Sequence, residues 1–103
     1  MNVPAAVIKH TEINAAVSEV ERLLAPDVVH IRFNFDQDWS GDPAIFFRVL
    51  LSDEVTEARL HKVTRRVRDC LDERLDFMGM GLFAYYNVRT VSEQAVLREK
   101  AWA

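Results

Sequence analysis

The sequence predicts an α/β chain of the α+β type. The expected form is a two-layer sandwich in the order αββαβ(α), with a three-stranded mixed sheet and two helices on one face. Three observations carry this. Two stretches, around residues 13–24 and 60–75, place apolar residues at i, i+3, i+4 and i+7, the mark of a helix with one buried side. Three others, VVHIRFNFD, AIFFRVLL and LFAYYNVR, are strand-like in period and composition. The helical stretches flank a pair of strands and precede a third, so both can pack on one sheet. With 103 residues, half apolar and 28% charged, one globular domain over 1–103 is expected.

Ile13, Ala16, Val17, Val20, Leu23 and Leu24 form the inner stripe of the first helix, and Pro26 stops it because proline cannot continue the hydrogen-bond ladder. Two starts are open. Pro4 can occupy the first turn of a long helix, or Lys9 and His10 can divide a short leading piece from a helix that begins near Thr11. In VVHIRFNFD the period is two. Val29, Ile31, Phe33 and Phe35 point to a core, and His30, Arg32, Asn34 and Asp36 point away. AIFFRVLL is apolar on both sides, with Ile45, Phe47, Val49 and Leu51 opposed by Phe46, Arg48 and Leu50. The two strands read as an antiparallel hairpin with a long loop.

Ser52 and Asp53 are suitable caps for the second helix, and Glu54 and Glu57 suit its positive end. Its expected inner stripe is Leu60, Val63, Val67, Cys70, Leu71, Leu75 and Met78, with an end near Asp76 and a left-handed turn at Gly79 or Gly81. The third strand alternates Leu82, Ala84, Tyr86 and Val88 against Phe83, Tyr85, Asn87 and Arg89. A short final helix capped by Ser92 would dock Trp102. A right-handed crossover makes the third strand parallel to the second, in sheet order 1-2-3 or 3-1-2.

This order resembles a ferredoxin-like fold lacking its first strand, and is similar to the soluble domains of cation-efflux transporters. That resemblance implies fold alone, since no ligand motif accompanies it. The stretches DWSGDPAIFFRVLLSDE and YYNVRTVSEQ, with the WA ending, resemble a group of small bacterial proteins that carry no assigned activity. This second resemblance implies a small bacterial protein working with a partner, and supplies no catalytic residues.

Composition excludes several functions. The net charge of −3 makes the whole molecule a poor electrostatic match for nucleic acid. Cys70 is the only cysteine, so neither a CxxC redox pair nor a multi-thiolate zinc site can form within the chain. There is no leader-like segment and no run of 18 apolar residues, so a cytoplasmic location without membrane insertion is expected. His10, His30 and His61 fall in no HxH, HxxxH or HExxH pattern, no GxSxG elbow or GxGxxG loop is present, and Cys70 lies on an apolar helix stripe. No catalytic residue and no cofactor is expected, although the Asp-rich loop and His30 could in principle supply acid–base groups.

In the loop DQDWSGD, Asp36, Asp38, Ser40 and Gly41 match positions 1, 3, 5 and 6 of a calcium-binding EF-hand loop. Position 12, which should be a bidentate Glu, is Phe47, and the flanks are strands. The loop is therefore expected to be a polar turn that holds no metal, with Gly41 at positive φ and Pro43 opening the next strand. Asp36, Asp38 and Asp42 are the residues that a calcium or magnesium site would use. Trp39, at a loop tip, reads as a hydrophobic contact point for a partner or for the tail.

The expected interaction surface is the open sheet face with that loop at its rim: Arg32, Arg48, Phe46, Leu50, Trp39, Tyr85, Asn87 and Arg89. It requires Tyr85, Asn87 and Arg89 to face outward, the alternative being Tyr86 and Val88. A surface that mixes apolar residues with arginine suits a protein interface. The favoured reading is a non-enzymatic accessory module, antitoxin-like in one form, that dimerises or binds a small protein. The alternative is RNA or nucleotide binding, in which rings stack on bases and arginines neutralise phosphates. A metal-binding domain at the loop is the second alternative. The basic side of the second helix (Arg59, His61, Lys62, Arg65, Arg66, Arg68) reads as a solvated face, with Arg65–Asp69 and Arg68–Asp72 as i, i+4 pairs.

Overall fold

A computed structural model of the chain describes residues 5–102, with side chains from residue 9. The elements are α1 (Ala5–Leu23), β1 (Val28–Gln37), β2 (Pro43–Leu51), α2 (Glu57–Arg74), α3 (Phe77–Met80), β3 (Phe83–Thr90), α4 (Val91–Leu97) and a closing 3-10 turn, Lys100–Trp102. The expected α+β architecture is present, with a three-stranded mixed sheet in the order β1-β2-β3. β1 is antiparallel and β3 parallel to β2. A central β2 accounts for its being apolar on both sides.

The register defines two faces. On the inner face, Ile31, Val49 and Val88 share a row, as do Phe33, Phe47 and Tyr86, and then Phe35, Ile45 and Ala84. Ile13, Val17 and Val20 of α1 and Val63, Val67 and Leu71 of α2 are buried in one cluster with Ile45, Phe47, Val49 and Leu51. The Phe47 ring is the hub. It stacks on Tyr86 at 5.1 Å and meets Phe77 at 5.8 Å and Phe33 at 6.2 Å. Burial around Tyr86 pushes its phenol well above the ordinary range, with the Asp72 carboxylate adding to the effect.

Several local expectations are corrected. α1 runs unbroken through Lys9 and His10: Lys9 Nζ donates to the Met80 carbonyl at 2.8 Å and His10 lies 5.1 Å from the Phe33 ring, so both sit at the margin of the packing and do not interrupt it. Pro4 lies outside the described residues. Leu23 is exposed and Leu24 is buried. A bulge between Val28 and His30 shifts the β1 register, burying Val28 and leaving Val29 outside. Leu60 and Met78, expected in the inner stripe, are 38% and 90% exposed. The helix ends at Arg74 and Leu75 is extended, so the stripe's period no longer applies and Phe77 takes the core position instead.

The helix caps differ too. Thr56, not Ser52 or Asp53, precedes α2, because the chain first makes a turn (Val55 N–H to the Ser52 carbonyl, 3.0 Å) that buries Val55. Asp53 serves α4 instead, accepting from the Ser92 N–H and hydroxyl at 2.9 and 2.6 Å. Those bonds hold the Asp53 carboxyl below its ordinary range, the hydroxyl bond contributing most. Thr90, not Ser92, caps α4, in a reciprocal pair with Glu93. Gly81 takes the left-handed turn with φ 72°, and Gly79 instead donates to Asp76. The basic side of α2 is exposed as expected. Arg65 bonds His61 at 2.9 Å and Arg59 reaches Asp27 at 2.7 Å; neither Arg65–Asp69 nor Arg68–Asp72 closes to ion-pair distance, although the Arg68 charge still acts on the Asp72 carboxyl.

Candidate functional site

The outer sheet face is built in three rows. Asn34, Phe46 and Tyr85 form the first, Arg32, Arg48 and Asn87 the second, and His30, Leu50 and Arg89 the third. Tyr85, Asn87 and Arg89 therefore face outward, because Tyr86 is held inside by Phe47. In the first row the Phe46 and Tyr85 rings stack at 5.2 Å and 17°. In the second, Arg48 donates to the Asn34 side-chain oxygen, and Arg32 is exposed with no side-chain hydrogen bond or ion pair among the described residues.

The third row is covered by the chain itself. After β3, α4 and the 3-10 turn return across the face, and the turn packs on β2. Arg89 donates to Glu99 at 2.8 Å and to Gln94 at 3.1 Å, and its guanidinium lies 4.5 Å from the centre of the Trp102 ring. Trp102 is 6% exposed, so the expected docking of the tail occurs. Its consequence is that the three arginines are not equivalent. Arg89 is engaged internally, Arg48 is tied to Asn34, and Arg32 points free into solvent.

The loop connecting β1 to β2 spans residues 38–42 and is ordered by Asp38. Its Oδ1 accepts from the Ser40 N–H at 3.0 Å, the Ser40 hydroxyl at 2.7 Å and the Asp42 N–H at 3.0 Å. Its Oδ2 accepts from the Tyr85 hydroxyl at 2.8 Å, which pins the loop to β3 across the end of β2. The Ser40 hydroxyl also lies 2.9 Å from Asp42 Oδ2, and Asp36 accepts from its neighbour Gln37 N–H. Gly41 has φ 86° and Pro43 opens β2, as the turn reading requires. The aspartates thus brace backbone, and among the described residues no group of three His, Cys, Asp or Glu is placed to hold a metal ion. Trp39 projects at 92% exposure, whereas Trp102 of the tail is buried. His30 pairs with Glu21 of α1 at 2.9 Å, while His10 and His61 sit on separate helices, so the described histidines do not gather with the loop as an acid–base group.

The bonds to Asp38, first the Ser40 hydroxyl and then Tyr85, hold its carboxyl at about 2, below the ordinary 3.8, and the same bond raises the Tyr85 phenol. A depressed carboxyl stabilises the fold in its ionised form. That contribution is present above about pH 4 and is lost as pH falls through about 2. A carboxyl-detected NMR titration is expected to show the Asp38 inflection near 2, moving up in Ser40→Ala and in Tyr85→Phe. Asp38→Asn should flatten the acid limb of stability against pH; an unchanged limb would show that the loop network is not formed in solution.

Neither the Asp38–Tyr85 bond nor the Arg89–Glu99–Trp102 cluster was evident from local pattern. Scans against protein-family models and curated proteins found no match. Among solved structures, two variants of the MamM C-terminal domain resemble the chain. A cysteine-to-serine variant has a TM-score of 0.51 at 14% identity, over 80% of this chain and 95% of that one. An aspartate-to-alanine variant has a TM-score of 0.50 at 15% identity, over 80% and 96%. At such identities the likeness is one of fold, and the chain shares the ferredoxin-like αββαβ sandwich of these domains.

Proposed function

We propose that the chain is a non-enzymatic interaction module that binds a protein partner through the uncovered two rows of its outer sheet face. The observation that carries this is Trp39, 92% exposed in the loop that Asp38 ties to Tyr85, at one end of a face that bears the Phe46–Tyr85 ring pair and the exposed Arg32. A face that presents a solvated tryptophan, a stacked ring pair and an exposed guanidinium has the composition of an interface, where aromatic and arginine side chains dominate affinity. An accessory role in a cytoplasmic bacterial complex, antitoxin-like in form, is the biological expression of this reading. Nucleic acid fits less well. Arg89 is already neutralised by Glu99, and Asp36, Asp38 and Asp42 lie on or beside the rim, where they would repel phosphates.

The test is affinity capture from the host with the intact chain, followed by calorimetry with the purified partner. Binding to one protein that falls at least about tenfold in Trp39→Ala and in Arg32→Glu is expected. A partner whose affinity ignores both changes would sink the proposal. So would salt-dependent binding of single-stranded RNA that is abolished by Arg32→Ala with Arg48→Ala.

A further inference from the structure

β1 is an edge strand. Among the described residues only β2 pairs with it, so one side of the ten-residue segment Val28–Gln37 offers backbone N–H and C=O groups that no described strand pairs. An open cleft of about 610 Å³ borders this strand, reaching from His10 and Asn14 of α1 past Arg32 and Asn34 to Arg48 of β2 and Ala101 of the tail. Phe35, on the inner-face register, is 40% exposed there. Long free edges are ordinarily protected. Here the bulge that distorts the strand is confined to its start, at Val28/His30, and the rest is regular.

We propose that this edge pairs antiparallel with the same edge of a second copy, about a twofold axis through Asn34, giving a continuous six-stranded sheet. Register selects this axis. An axis normal to the sheet places opposite each other only residues on the same face, so the permitted centres are few. A centre at Arg32 sets arginine against arginine. A centre at Phe33 sets Arg32 against Asn34, leaving that charge unanswered, and sets Asp36 against His30, which Glu21 already holds. A centre at Asn34 sets Arg32 against Asp36 of the other copy, twice over, on the outer face. The same centre sets Phe33 against Phe35 of the other copy, twice over, on the inner face, covering the ring that a single chain leaves exposed. Both exposed charges and the exposed aromatic thus find complements in one register.

The opposite edge, β3, has no such pattern. Between Phe83 and Thr90 the single charge is Arg89, already engaged by Glu99. The dimer leaves both outer faces on one side; Arg32 borders both contacts, so Asp36→Arg reads the edge and Trp39→Ala reads the partner-binding face, and those variants tell the two contacts apart.

Light scattering on the intact chain tests the pairing, with a mass twice the 11.9 kDa of one chain expected. Asp36→Arg and Arg32→Asp should each weaken the dimer by about tenfold or more, and the double exchange R32D/D36R should restore it. In a Cys70→Ala background, Asn34→Cys is expected to form a disulfide-linked dimer on mild oxidation, since it meets its own copy across the axis, and Arg32→Cys is not. A strict monomer at ~100 μM would overturn the proposal. So would single charge changes without effect, a double exchange that fails to restore the dimer, or a dimer lost in Trp39→Ala but not in Asp36→Arg.

Discussion

Phe47→Ala is expected to lower stability by about 3–5 kcal/mol, the range for removing a large aromatic side chain from a core. Phe47 is fully buried in the central strand and contacts rings from all three neighbouring structures: Phe33 of β1, Tyr86 of β3 and Phe77 of α3. The cavity left by its deletion would be bordered by elements that hydrogen bonds and helix packing hold in place, so little collapse can relieve it. A chain of this size has a total margin of about 5–15 kcal/mol, so the loss should appear as a fall in melting temperature on the order of 15 °C or more. The control is the adjacent Phe46→Ala. Phe46 lies on the outer face, half-buried against Tyr85, and its removal opens a depression to solvent with no enclosed void. Chemical denaturation of both variants decides. If Phe46→Ala costs as much as Phe47→Ala, the assignment of inner and outer faces is wrong.

The alternation that separates these two phenylalanines was legible in the sequence because period two is a property of the strand alone. So were the parallel crossover, the turn at Gly41 and Pro43, and the docking of Trp102. What was not legible depends on which strands lie side by side. The outward choice of Tyr85 over Tyr86 needs the pairing of Phe46 with Tyr85 and of Phe47 with Tyr86, and no local rule distinguishes the two tyrosines. Asp53 has the look of a cap for the helix that follows it, yet it serves Ser92, 39 residues away. Asp38 looks like a turn former, and is one, but its bond to Tyr85 spans 47 residues. The Val28/His30 bulge escaped because an inserted residue leaves the apolar pair VV readable in either phase. At the candidate surface, alternation set Arg32, Arg48 and the Phe46 ring on one face but could not show that the tail engages Arg89, because that follows from where the chain returns after β3.

Trp102→Ala is expected to release the tail and cost roughly 2–3 kcal/mol, combining the lost burial of a large ring with the lost attraction between that ring and Arg89. The effect should be smaller than for Phe47 because the tail is one-sided: when it detaches, water fills the space and no cavity remains. Three links hold it, and each has a distinct signature. The Arg89–Glu99 pair is half-exposed and contributes little by itself, so Glu99→Gln should cost under about 1 kcal/mol. Asp53 fixes the start of α4 through Ser92, so it should remain attached when Trp102 is removed. Proteolysis of Trp102→Ala is therefore expected to cut after α4, near Arg98 and Lys100, while the chain up to Thr90 resists. Fluorescence gives the same answer from the other side. In a Trp39→Phe background the remaining Trp102 should emit as a buried indole, whereas in Trp102→Ala the remaining Trp39 should emit as a solvated one. If Trp102 emits as a solvated residue, the tail does not cover the third row. Leu50 and Arg89 would then join Arg32 and Arg48 on one open surface, and the argument against an anionic partner would lose its main support.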